Sequence, residues 1–204
     1  MNIYYEAAAG LPFYRELSSA VDQGQLPASV SGLGAVHKAH IAMLLSLKRN
    51  VLVLCPDEAC ASRLAEDINE LHGGSIACLF PSKDLVFASS VETASREYEQ
   101  RRIGALMGLT LGSYRILTAS AEAAMQSCIP KEALLSRCFT VSPGDSVDTS
   151  LLTDRLVEAG YVKSPVTEGR GQFSVRGSII DIFPAGSEMP VRIELWGDEV
   201  DTVS

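Results

Sequence analysis

The chain has 204 residues, of which 47% are hydrophobic, so it is long enough and apolar enough to bury one large core or two small ones. Its 17 basic and 25 acidic residues leave a net charge of −8, which excludes a general basic surface for holding nucleic acid. Residues 1–6 lack the start of a secretory signal, and no window approaches the roughly 18 apolar residues of a membrane span. The sequence therefore predicts a cytoplasmic protein without a membrane segment.

The cysteines are odd in number and form no CxxC pair, which argues against a disulfide framework and against a zinc site. They are Cys55, Cys60, Cys78, Cys128 and Cys138. We expect them to be small core residues.

The first two-thirds of the chain alternate short apolar runs with amphipathic stretches, as is typical of strand–helix–strand units around a parallel sheet. Strands are predicted at residues 51–55, 75–80 and 114–119, and helices at residues 57–72 and 92–108. Asp57 is the predicted N-cap of the first of these helices, and Gly73 follows its end.

The pattern changes near residue 130, which predicts a domain boundary between residues 1–128 and residues 129–204. The second part is predicted to contain a strand at 137–141, a helix at 149–159, and strands at 172–176, 179–183 and 191–196. Four side chains of the helix are expected to point inward: Leu151, Leu152, Leu156 and Val157. Gly177 and Pro184-Ala185-Gly186-Ser187 separate the last three strands, which favours an antiparallel meander.

Residues 27–45 occupy the place where an α/β domain of this kind carries a phosphate-binding loop before a helix. A working GxxxxGK[ST] motif would need glycine at position 29, lysine at 35 and serine or threonine at 36. The residues found in this degenerate loop are Ser29, Gly32, Gly34, Ala35 and Val36. Without the lysine and the hydroxyl, two of the interactions that neutralise phosphate charge and hold Mg²⁺ are missing. We predict that this chain hydrolyses no ATP and carries no cofactor.

Other candidates for chemistry are weak. Lys38 lies nearly one helical turn beyond the loop, which favours a solvated surface lysine. His37 and His40 have a spacing that can share a metal, but no further ligands accompany them, so we expect no metal site. No nucleophile elbow is present, and His72 lies at a helix end, so we expect no catalytic residues.

The most specific part of the sequence lies between residues 153 and 203. It contains residues 155–161 (RLVEAGY), 171–184 (GQFSVRGSIIDIFP) and 190–201 (PVRIELWGDEVD). These segments resemble domain 2 of the family that comprises the excision-repair protein UvrB and the matching modules of transcription-repair coupling factors. Residues 80–84, 97–102 and 116–120 are similar to the first domain of that family, so the resemblance covers nearly the whole chain.

This chain departs from the UvrB pattern in two ways, and these departures favour the coupling factors over UvrB as its nearer relatives. UvrB has an intact nucleotide loop and, after the strand equivalent to residues 75–80, a tyrosine-rich hairpin that grips damaged DNA. In this chain the loop is degenerate, and residues 80–87 (FPSKDLVF) are too short and too poor in aromatic residues for that hairpin. The resemblance therefore points to the N-terminal module of a coupling factor, ending at the close of domain 2. In that family RNA polymerase, DNA, ATP and Mg²⁺ are bound by parts further along the chain.

The resemblance implies an α/β fold class. Residues 1–128 would form a partial RecA/P-loop-like parallel sheet domain with a degenerate nucleotide loop. Residues 129–204 would form a small α+β domain with an antiparallel sheet.

The resemblance also implies a partner, because domain 2 of the family binds UvrA through charged residues that project from its sheet. Mapped position by position, these residues fall on Lys163, Ser174, Arg176, Arg192 and Glu194, with the charge lost at Ser174. Strand alternation places Ser174 and Arg176 on one face, Arg192 and Glu194 likewise, and Phe173 and Val175 on the other face. Asp181 is interpreted as structural, tying the hairpin by hydrogen bonds, and Gly177 and Gly197 as turn residues.

Three functions remain open from the sequence. The first is a non-catalytic module that docks UvrA and so recruits excision repair to stalled RNA polymerase. The second is a UvrB-type component that binds ATP and damaged DNA, against which the degenerate loop and the missing hairpin argue. The third is a structural module that clamps against the rest of its own chain and masks the docking face. A simpler interpretation of the five site residues is that they are ordinary solvated strand charges.

Overall fold

The computed structural model describes residues 9–82 and 92–204. The expectations for residues 1–6, and for most of residues 80–87, therefore fall outside the described residues. The described residues divide into two compact units: residues up to 82 with 108–127, and residues 92–107 with 128–204. Across these described ranges, no helix is long and apolar enough to cross a membrane.

The first unit contains a parallel sheet, as predicted. Its elements are α1 (Pro12–Asp22), α2 (Ala35–Ser46), β1 (Val51–Cys55), α3 (Glu58–His72), β2 (Ala77–Phe80), the last four residues of α4 (Glu92–Leu111), β3 (Ile116–Ser120) and α5 (Ala121–Met125). The strand order is β1-β3-β2, and both pairings are parallel. β3 is buried along its whole length because it lies between the other two strands.

The sequence of helix α3 determines where the helix begins and where it ends. The Asp57 carboxylate accepts a hydrogen bond from the backbone N–H of Cys60 at 2.7 Å, which confirms the predicted N-cap. Gly73 ends the helix with φ of +77°, a conformation that favours glycine. Near that end, the Asn69 side chain accepts from the N–H of Ile76 and Ala77 and donates to the carbonyl of Ala77, each at 2.9 Å. These bonds attach α3 to the start of β2.

The second unit contains the predicted antiparallel meander, extended by a strand on each side. Its elements are α4 up to Met107, α6 (Lys131–Ser136), α7 (Thr149–Glu158), β4 (Val162–Lys163), β5 (Gln172–Arg176), β6 (Ile179–Ile182), β7 (Val191–Trp196) and β8 (Glu199–Val203). The strand order is β4-β5-β6-β7-β8, with β4 parallel to β5 and every other pairing antiparallel. Its buried core is built from Leu152, Leu156, Phe173, Ile180, Ile182, Ile193, Leu195 and Val200.

Three of the expectations about these elements are wrong. Residues 137–141 form no strand, because the apolar side chains of Phe139 and Val141 pack against the core of the second unit without a strand partner. Leu151 and Val157 are 60% and 55% exposed rather than inward. Successive residues of an α-helix are rotated by about 100° around its axis. Because Leu152 and Leu156 face the core, Leu151 and Val157 face away from it.

The cysteines also differ from the expectation. Cys55 is buried and Cys78 is partly buried, and burial raises the pKa of both thiols. Cys60, Cys128 and Cys138 are exposed, so the expectation of five core cysteines is wrong for these three. All five thiols are free.

Candidate interaction face

One face of the meander carries polar side chains, and the opposite face forms the core. Ser174 on β5 lies opposite Asp181 on β6, and Asp181 lies opposite Arg192 on β7. In the next row, Arg176 lies opposite Ile179, and Ile179 lies opposite Glu194. We call this polar side of β5, β6, β7 and β8 the interaction face.

Asp181 joins the two arginines of this face. Its Oδ2 accepts from Arg176 Nη2 at 2.6 Å, and its Oδ1 accepts from Arg192 Nε at 2.7 Å. A second bond from Arg192, donated by Nη2 to Oδ2 at 3.1 Å, completes a two-point contact. The carboxylate is only 13% exposed, whereas the side chains of Arg176 and Arg192 are 55% and 45% exposed. The expected hydrogen-bonding role of Asp181 is therefore confirmed.

This contact changes the acid–base properties of the pair. The pKa of Asp181 is lowered from its ordinary value, chiefly because Arg192 donates hydrogen bonds to the carboxylate and secondarily because Arg176 does so. The pKa of Arg192 is raised by the same bonds. At neutral pH the face therefore holds two guanidinium groups on one ionised carboxylate.

The five predicted site residues are not all brought together. Arg176 and Arg192 are exposed on the interaction face, and Glu194 lies half-buried on the same face. Lys163 lies on the edge strand β4 and pairs with Phe173, whose side chain faces the core. Paired residues of neighbouring strands point to the same side of a sheet, so Lys163 lies on the opposite side from the other four residues. The structure thus groups the two arginines and the glutamate, and leaves the lysine apart.

Ser174 is on the expected row but is not exposed. Its side chain is 1% exposed, and its hydroxyl makes no hydrogen bond within the described residues. The expectation that Ser174 belongs to an open polar surface is wrong. Segment 164–167 passes this end of the face, where the hydroxyl of Thr167 donates to the carbonyl oxygen of Asp181 at 3.2 Å.

A shallow groove runs beside the arginines. Its volume is about 400 Å³, and its walls include Val166 and Val191 as well as Arg176, Asp181 and Arg192. Two valine residues, Val166 and Val191, therefore line the groove together with the paired guanidinium groups. Such a groove can accommodate a carboxylate-bearing side chain together with its aliphatic stem.

Sequence reasoning missed one prominent residue of this face. Trp196 ends β7 with 85% of its surface exposed. Alternation along β7 was the available signal, because Arg192, Glu194 and Trp196 occupy every second position. The residues that the resemblance implies for partner binding on this strand are the charged Arg192 and Glu194, and Trp196 is not among them.

The degenerate nucleotide loop lies in the first unit. Ser29 and Gly32 belong to an exposed irregular segment, and Gly34 is the N-cap of α2, without a side-chain hydrogen bond. Ala35 and Val36 form the exposed first turn of α2, and Val36 is 53% exposed. In the described part of the chain, no group of three or more His, Cys, Asp and Glu side chains is arranged to hold a metal ion.

Comparison with known proteins identifies the second unit more closely. A model of the UvrB interaction domain matches residues 139–204, which include every strand of the meander. The chain is 29% identical over 192 residues to the transcription-repair-coupling factor of Bacillus subtilis, covering 93% of this chain and 16% of that protein. The similarity to the Myxococcus xanthus transcription-repair-coupling factor is also 29%, over 84% of this chain and 15% of that protein.

UvrB proteins themselves are related to the chain as well. UvrABC system protein B of Thermus thermophilus is 30% identical over 172 residues, covering 78% of this chain and 26% of that protein. The chain thus spans less than a third of the length of each of these relatives. Residues 139–204 match the UvrB interaction domain family, and the chain as a whole is similar to the UvrB-like part of transcription-repair-coupling factors.

Proposed function

We propose that this chain is a non-catalytic module that docks the excision-repair protein UvrA through the interaction face. The observation that carries the proposal is the pair of exposed arginines, Arg176 and Arg192, held on the shared carboxylate of Asp181. The match of residues 139–204 to a UvrB interaction domain supports UvrA as the partner.

The arrangement suits recognition of acidic side chains. A guanidinium group presents several N–H donors in a fixed plane, and Asp181 occupies only part of them. The remaining donors are free to bind a carboxylate of the partner. Because Asp181 already fixes both side chains, less conformational entropy is lost when the partner binds.

The wider role follows from the relatives. We infer that the chain belongs to a longer cytoplasmic protein that brings excision repair to stalled RNA polymerase. In that protein the ATP- and Mg²⁺-dependent movement on DNA, and the contacts with RNA polymerase, would belong to other domains. The docking domain would be residues 129–204, and the first domain would be residues 1–128.

A UvrB-type function is the second candidate, because UvrABC system protein B is also similar to the chain. It would require nucleotide binding by the loop that precedes α2. Ala35 and Val36 stand where that chemistry needs a lysine and a hydroxyl, so the first candidate is better supported.

The test is direct binding of purified UvrA to the 204-residue chain, measured by calorimetry. The Arg176→Ala/Arg192→Ala double variant is expected to weaken binding by at least about thirtyfold, since each arginine is worth about 1–3 kcal/mol. Lys131→Ala/Arg137→Ala removes the same charge from α6 and its C-cap and serves as the control, which should bind like the wild type. Absence of UvrA binding by the folded wild-type chain would refute the docking role.

A masked face would give a different result. If the rest of a longer chain covers the interaction face, the 204-residue chain should bind UvrA more tightly than the full-length protein does. Equal affinities would exclude masking.

A further inference from the structure

Trp196 is the only tryptophan of the chain and is 85% exposed at the end of β7. The core beneath β7 is filled by Ile193 and Leu195, which are 3% and 7% exposed, so the fold does not use the indole for packing. Gly197, with φ of +64°, makes the tight turn that follows and carries the chain into β8. An exposed indole is a common centre of a protein–protein contact, because it offers a large rigid surface.

The alternation of β7 places Trp196 on the interaction face. Residues 192, 194 and 196 point away from the core formed by Ile193 and Leu195. The pairing with β8 shifts between Glu194 and Leu195, but the alternation of burial along β7 continues through the shift. Trp196 is therefore continuous with the arginine pair, four residues along the same strand from Arg192.

The surroundings of the indole have the opposite charge from the arginine end. Glu199 is the cross-strand partner of Trp196, and Glu194 is its next same-face neighbour along β7. Cross-strand partners have Cβ atoms about 5 Å apart, and residues two apart on one strand are about 7 Å apart, so both glutamates are within side-chain reach of a group that lies over the ring. A cation on an indole face is attracted by the ring quadrupole, and carboxylates at the ring edge add to that attraction.

We propose that Trp196, Glu194 and Glu199 bind a guanidinium group of the partner protein. This inference rests on the docking role proposed above. The arginine side chain would stack on the indole while its N–H groups donate to the two carboxylates. Arginine fits this site better than lysine, because its planar group can stack and donate at its edge at the same time. Among the described residues, arginines stack on Tyr98, Phe139 and Phe183, and none stacks on Trp196.

The two ends of the interaction face thus require a partner with both signs of charge. Arg176 and Arg192 take carboxylates, whereas Trp196 with its flanking glutamates takes a cation. A partner segment can satisfy both ends in one orientation only, because reversal would bring like charges together. The indole end therefore contributes specificity as well as affinity.

The test uses 5-fluorotryptophan, which labels the 204-residue chain at one position and gives a single ¹⁹F resonance. On titration with unlabelled UvrA, the resonance of Trp196 is expected to shift or broaden with the same dissociation constant that calorimetry gives. Trp196→Ala should weaken binding about tenfold. Trp196→Phe should keep part of the affinity, and Glu199→Gln should weaken binding about threefold.

A leucine variant separates cation binding from plain apolar contact. Trp196→Leu should bind as weakly as Trp196→Ala if a cation is stacked, whereas binding close to wild type would overturn the proposal. Leu151→Ala removes an apolar side chain that is 60% exposed on α7, away from the interaction face, and should leave binding unchanged. A resonance that shifts with the concentration of the chain alone would assign Trp196 to a second copy and also overturn the proposal.

The outcomes distinguish this inference from the docking role. If UvrA binds and Arg176→Ala/Arg192→Ala abolishes binding, but Trp196 is unaffected by UvrA and tolerant of substitution, only the present inference fails. If UvrA does not bind the folded wild-type chain, the docking role fails and the inference fails with it.

Discussion

Asp181 binds Arg192 through both carboxylate oxygens, with Oδ1 2.7 Å from Nε and Oδ2 3.1 Å from Nη2. The same Oδ2 accepts from Arg176, which comes from the other neighbouring strand. One largely buried carboxylate thus sets the position of two exposed cations. The interaction face is organised by this acidic residue, although the charges that it presents beside the groove are basic.

Replacing Asp181 by asparagine should weaken UvrA binding. Asp181→Asn adds a net positive charge to the face, which favours an acidic partner, but it also releases both guanidinium groups and lets them repel each other. We expect the loss of orientation to dominate, because the side chains are half-exposed and their charge is screened by salt. The dissociation constant should rise about threefold to tenfold in calorimetry.

Asp154→Asn is the matched control, since Asp154 is an exposed acidic residue of α7 outside the interaction face. It should bind UvrA like the wild type. Tighter binding by Asp181→Asn would mean that Asp181 competes with the partner for the arginines instead of positioning them.

The stability of the chain should depend on the ionisation of Asp181. Its folded-state pKa lies below its ordinary value because Arg192 and Arg176 bind the charged form. The stability that this contact contributes is therefore fully present above the unfolded-state pKa of about 4 and is lost as pH falls through the lower folded-state pKa. In urea unfolding, the advantage of the wild type over Asp181→Asn should be constant from pH 7 to about pH 5 and should shrink below about pH 4. A pH-independent difference would contradict this account.

Ser174 should respond to substitution as a core residue. Ser174→Ala removes a buried hydroxyl that makes no hydrogen bond within the described residues, so we expect unchanged or slightly higher stability. Ser174→Arg, which would restore the charge found at this position in the UvrB family, places a guanidinium in a side-chain position that is 1% exposed. It should destabilise the second unit by roughly 2–4 kcal/mol in urea unfolding. A stable Ser174→Arg variant with tighter UvrA binding would show that the face opens at this position.

The sequence was sufficient for most of the secondary structure and for part of the interaction face. Asp57, Gly73 and the alternation of β5 to β7 are local signals, and the elements that they predict are present. The burial of Ser174 could not be predicted, because strand alternation tells which face a side chain points to but not whether other parts of the chain cover that face. Residues 137–141 were misassigned for a similar reason, since alternation predicts which side chains are buried but not whether the backbone finds a strand partner.

Gly104 allows helix α4 to approach the loop between β6 and β7. A Cβ atom at this position would lie 2.7 Å from the carbonyl oxygen of Ala185, closer than real contacts permit. Gly104→Ala should therefore destabilise the second unit by about 1–3 kcal/mol, although alanine is the better helix former by about 1 kcal/mol. Gly186→Ala is the control from the facing segment, because its nearest neighbour would be 3.8 Å away and the substitution should be tolerated. Equal thermal unfolding of the two variants would contradict the close approach of α4 to this loop.

The loop before α2 should bind no ATP. Gly34, Ala35 and Val36 form an exposed helix start with no side chain able to neutralise a terminal phosphate or to hold Mg²⁺. Titration of the chain with a fluorescent ATP analogue in the presence of Mg²⁺ is expected to give no saturable signal up to millimolar concentration. Lys38 is exposed in the first turn of α2, close to the loop in sequence, and is therefore the lysine that could replace the missing one. Saturable binding that Lys38→Ala abolishes would show that this lysine replaces the missing one, and it would favour the UvrB-type function over a purely docking role.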